Sequence, residues 1–117
     1  MPKSDKELEM ALTAQLSASE RANGVAYLSA ALVPKDTTLQ LPHTTIHAPW
    51  DSQLAFIDGA PTANWGHACR YVLLNRDTGG TLSKEARFPP FQAGGAVGWR
   101  IVYRASQVPD WALLTRK

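Results

Sequence analysis

The sequence predicts an α+β domain: an N-terminal helix packed on a mostly antiparallel sheet of four to six strands, with a short C-terminal helix. Three observations carry this prediction. Ser4-Asp5-Lys6-Glu7 opens a helical pattern, several later stretches cluster or alternate apolar residues over strand-like lengths, and glycine and proline punctuate those stretches at hairpin spacing. With 117 residues, 44% hydrophobic and 19% charged, the chain suits one core and one domain, residues 1 to 117.

The helix start is a capping box, in which the Ser4 hydroxyl takes an unpaired backbone N–H and Glu7 reaches back to the cap. Leu8, Leu12 and Leu16 follow every four residues with Ala11 beside them, a narrow apolar stripe on an otherwise polar surface. Asn23-Gly24 is the expected end, because both residues tolerate the left-handed conformation of a C-cap. Val25 to Val33 is apolar on every side, so periodicity does not separate a buried strand from a second helix. Val25, Tyr27, Val33 and the turn Pro34-Lys35-Asp36 favour strand, which is the expectation; a helical hairpin is the alternative.

Beyond that turn the pattern is β. Thr37 to Ile46 reads as one extended stretch, Gln53 to Asp58 as a strand ended by Gly59, and Ala68 to Asn75, dense in Val72, Leu73 and Leu74, as a central strand. Arg76-Asp77-Thr78-Gly79-Gly80 is a hairpin connection, and Thr81 to Phe88 returns until Pro89-Pro90 removes the ladder donors. The run from Arg70 to Leu82 is similar to the strand-turn-strand signature of PepSY-type peptidase propeptide domains, which implies a hairpin packed beside a helix. In Ala96 to Arg104, strict alternation puts Val97, Trp99, Ile101 and Tyr103 on one face and Arg100, Val102 and Arg104 on the other. Pro109 and Asp110 begin a terminal helix that folds Trp111 and Leu114 back onto the sheet, and Phe91 to Gly95 reads as a loop.

Cys69 is the single cysteine, so no internal disulfide can form, and a reducing, cytoplasmic setting is expected. No apolar run approaches the roughly 20 residues of a bilayer span, and residues 1 to 7 lack the apolar stretch of a secretory leader, so no membrane partner is expected. The net charge of +2 is unevenly spread. Residues 1 to 59 carry four Lys/Arg against seven Asp/Glu, while residues 60 to 117 carry eight against three. Either the second half meets an anionic partner, or the two halves attract each other within the fold.

Four constellations bear on chemistry. His67 and Cys69 share a strand face with Arg70 adjacent, the residue types that lower a cysteine pKa in a thiol-dependent transferase or hydrolase, against the ordinary reading of a small buried residue. His43, His47, His67 and Cys69 supply four donors for a tetrahedral zinc. His43 and His47, however, lie about 13 Å apart on an extended strand at ~3.3 Å per residue, so no metal is expected. Asp51, Asp58 and Asp77 sit beside turn signals, and no phosphate-binding glycine motif is present, so no cofactor is expected. Arg70, Arg100 and Arg104 would form one patch for carboxylate or phosphate if their strands were neighbours, with Trp65 and Trp50 flanking it or plugging the core ends. The leading expectation is therefore a non-catalytic binding domain for a protein partner or small anionic ligand. A thiol enzyme using Cys69 and His67 is the alternative, and single-strand nucleic-acid binding the third reading.

Overall fold

Both predicted capping contacts at the N-terminus form: Glu7 N–H donates to Ser4 Oγ at 3.2 Å, and Ser4 N–H donates to Glu7 Oε1 at 2.9 Å. The computed structural model describes residues 2–41, 44–62, 67–87 and 99–113. Helix α1 (Asp5–Ala14) then buries Leu8 and Leu12 completely, each side chain contributing about 1.5–3 kcal/mol of transfer free energy. The expected single helix to Asn23 is interrupted. Ser17 and Glu20 make a second capping box, starting α2 (Ala18–Asn23). A fresh cap here satisfies the N–H groups of a new first turn, so the chain changes direction after Leu16.

Gly24 ends α2, but with φ −111° and ψ −177° it is extended rather than left-handed. Glycine is required there for another reason. A Cβ would lie 2.7 Å from the Asp58 carbonyl oxygen and 2.8 Å from that of Glu20, so only a bare backbone fits between α2 and the neighbouring strand.

The strands are β1 (Val25–Val33), β2 (Thr38–Leu41), β3 (Thr44–His47), β4 (Ser52–Asp58), β5 (Cys69–Asn75), β6 (Thr81–Ala86) and β7 (Arg100–Arg104), followed by a 3-10 turn over Asp110–Ala112. Val25 to Val33 is therefore the expected strand. The stretch from Thr37 is not one strand: Leu41 pairs with Thr44 and Thr38 with His47, so β2 and β3 form a separate two-stranded sheet. The main sheet is antiparallel, in the order β6-β5-β4-β1-β7. The β5–β6 turn uses Gly79 at φ +78°, while Asp36, which as an aspartate tolerates the left-handed region, takes φ +69° in the Pro34–Thr37 turn. Residues 88–98 and 114–117 lie outside the described residues, and with them Phe88, Pro89-Pro90, the Phe91 to Gly95 loop, Val97 and Leu114.

Each face of the sheet has its own core. On one, Leu8, Leu12 and Leu16 pack on Ala26, Leu28, Ala55, Ile57, Val72 and Leu74. On the other, Tyr27, Phe56 and Tyr71 are fully buried, with Phe56 and Tyr71 ring centroids 5.0 Å apart. Ile46, Ala48, Ala105 and Val108 complete that second core, and Trp50 and Trp99 pack against it half-buried. Covering both faces explains why β4 is buried at every position instead of alternating.

Candidate functional site

The register of β4 on β5 sets Asp58 opposite Cys69, so both ends of the connection spanning 59–68 meet at one point. Asp58 Oδ1 accepts from Ala60 N–H at 3.0 Å and lies 2.8 Å from His67 Nε2. Both side chains are nearly inaccessible, at 5% for Asp58 and 10% for His67. His67 N–H also donates to the Arg87 carbonyl at 2.9 Å, which fixes the end of β6 against the same connection. Burial pushes the Asp58 carboxyl above its ordinary value, the imidazole and the Ala60 N–H only partly opposing it. Burial, and then the Asp58 charge, push the Cys69 thiol up to about 12.

Between this junction, the start of α2 and the ends of β5 and β6 lies a cleft of about 630 Å³. Its lining includes the small residues Gly59, Ala60, Ala68 and Ala86, and Glu20, Arg70, Glu85 and Arg87 supply its charges. Arg70 makes five side-chain hydrogen bonds. Its Nε and one terminal nitrogen hold the two Glu20 carboxylate oxygens at 2.9 and 2.8 Å. That nitrogen also donates to the Gln15 carbonyl at 3.2 Å, and the other terminal nitrogen donates to Gln15 Oε1 at 2.7 Å and Ser83 Oγ at 2.8 Å. A guanidinium has five N–H donors, and all five of Arg70 are used within the fold.

The three arginines expected to form one patch are kept apart. Strands β5 and β7 are not neighbours, since β4 and β1 lie between them. A bulge between Ala26 and Tyr27 also breaks the alternation of β7: Arg100 sits opposite Leu28 and Arg104 opposite Val25, on different faces. Arg100 pairs with Glu9 of α1 at 2.7 Å, and Arg104 donates to the Val108 carbonyl at 2.6 Å and to Asp110 at 2.8 Å.

Trp65 and His43 lie outside the described residues. His47 is exposed on β3, with Nδ1 3.1 Å from Thr38 Oγ1 and Nε2 3.6 Å from Asp36. Among the described residues no three His, Cys, Asp or Glu side chains gather as metal ligands, and no helix is long and apolar enough to cross a membrane. Sequence reasoning missed Gln15, Glu20, Glu85 and Arg87. Only Glu20 carried a readable signal, the Ser17-to-Glu20 capping spacing. Comparison of the chain with protein-family models, with curated proteins and with solved structures finds no match.

Proposed function

We propose that this is a non-catalytic binding domain that takes a small ligand bearing an anionic group in the cleft between α2 and the ends of β5 and β6. The cleft itself carries the reading: its volume falls in the range of small-molecule sites, and an exposed guanidinium, Arg87, stands at its edge. The pairing of Arg70 with Glu20 and of Arg100 with Glu9 supports a small ligand over a nucleic acid, because the acidic helices neutralise much of the basic half from within. The protonated Cys69 thiol, and an imidazole engaged by Asp58, support binding over thiol catalysis.

The test is a thermal-shift titration with acetate, inorganic phosphate and glycine. Ala68 is an exposed residue of the cleft lining, so Ala68→Trp fills the space from a position that needs no core rearrangement. A stabilising probe should lose its effect in Ala68→Trp and keep it in Arg100→Ser. A probe that stabilises Ala68→Trp as well as the parent protein contradicts the assignment.

A further inference from the structure

We infer that the cleft's ligand is a zwitterion of the amino-acid type, an α-amino acid or dipeptide whose ammonium is read by Glu85 and whose carboxylate is read by Arg87; this rests on the cleft being the binding site. Four charged side chains line the cleft, two of each sign. Arg70 has no donor left, and Glu20 has both oxygens on Arg70, one of them also accepting Ser17 N–H at 2.9 Å. That pair is spent on the fold.

Glu85 and Arg87 remain. Among the described residues neither side chain makes a hydrogen bond or an ion pair, with each other or with any neighbour. They stand two positions apart at the end of β6, Glu85 opposite Arg70 and Arg87 just past the last paired residue, Ala86. The His67 N–H holds the Arg87 carbonyl, so the guanidinium extends from an anchored backbone. A free carboxylate and a free guanidinium in a cleft otherwise lined largely by small residues match a molecule carrying both charges and little bulk. A polyanion would meet Glu20 and Glu85 as well as the arginines, and a simple anion would leave Glu85 unanswered.

Calorimetric titration of the full chain with glycylglycine, N-acetylglycylglycine and glycylglycinamide tests this. The inference predicts glycylglycine binding at least tenfold tighter than either capped form. Glu85→Gln should bring glycylglycine down to the level of N-acetylglycylglycine by removing the ammonium partner, and Arg87→Gln should bring it down to the level of glycylglycinamide by removing the carboxylate partner. Both residues are exposed at the sheet edge, so the variants should unfold at the parental denaturant midpoint. If N-acetylglycylglycine binds as tightly as glycylglycine, and Ala68→Trp abolishes both, the zwitterion is wrong while the cleft stands. If neither glycine nor any dipeptide form binds, the zwitterion is overturned, and the acetate and phosphate titrations separately decide the cleft.

Discussion

Arg70 does for this fold what a core residue does elsewhere: one side chain ties α2, the C-cap of α1 and two strands together. Side-chain exposure is only 18% for Arg70 and 16% for Glu20, so removing the cation leaves a largely desolvated carboxylate. Arg70→Met should therefore cost about 3 kcal/mol in urea unfolding. The Arg100–Glu9 pair is more than one-third exposed on both sides, and a double-mutant cycle should return a coupling of only about 0.2–1 kcal/mol. Burial alone would raise the Glu20 carboxyl, but Arg70 and Ser17 outweigh it and hold the pKa below the ordinary 4.5. A depressed folded pKa means stabilisation that is present above 4.5 and lost as the pH falls through the folded value. Unfolding free energies measured from neutral pH downward should fall less steeply in Glu20→Gln than in the parent, after its lower starting stability is subtracted. The Cys69 thiol, raised to about 12, should resist iodoacetamide in the folded protein at about pH 8.5, where a free cysteine is half ionised. Rapid alkylation there would revive the thiol-enzyme reading.

At the scale of elements, two short devices set the geometry. The second capping box turns the chain after Leu16 and aims Glu20 at β5, so Ser17→Ala should cost about 1 kcal/mol. Gly24→Ala should cost more, about 1–3 kcal/mol, because the new methyl meets two backbone oxygens that cannot rotate away. Urea midpoints check both. Local chemistry made most elements legible: the Ser4 cap, the leucine stripe, the glycine turn at Gly79 and the apolar β4 and β5 all follow from residue type and spacing. The Ser17 box was equally local and was masked by the continuing Leu16 stripe. The bulge in β7 was not legible, because Val102 becomes the extra residue only in its pairing with Ala26 and Tyr27 of β1, a strand far away in sequence. That one extra residue separates Arg100 from Arg104.

Across the whole molecule, strand order decides what the uneven charge is for. The order β6-β5-β4-β1-β7 leaves two strands between Arg70 and Arg100, each within reach of an acidic residue from the N-terminal helices. The charge asymmetry was plain in the sequence, but its resolution needed the long-range pairing of residues 50 and 91 positions apart. The same holds for the candidate site. Cys69, Arg70 and His67 were visible as a local cluster, whereas Asp58, Glu85 and Arg87 reach it only through the β4–β5 and β5–β6 registers. The proposed function places ligand recognition at this junction and not at the arginines of β7. Chemical-shift mapping of the backbone amides during titration with acetate and then glycylglycine tests it most directly. Dose-dependent shifts at Ala60, Ala68 and Arg87, with Arg100 and Arg104 unmoved, are the predicted result; shifts centred on Arg100 and Arg104, or none at the cleft, would contradict it.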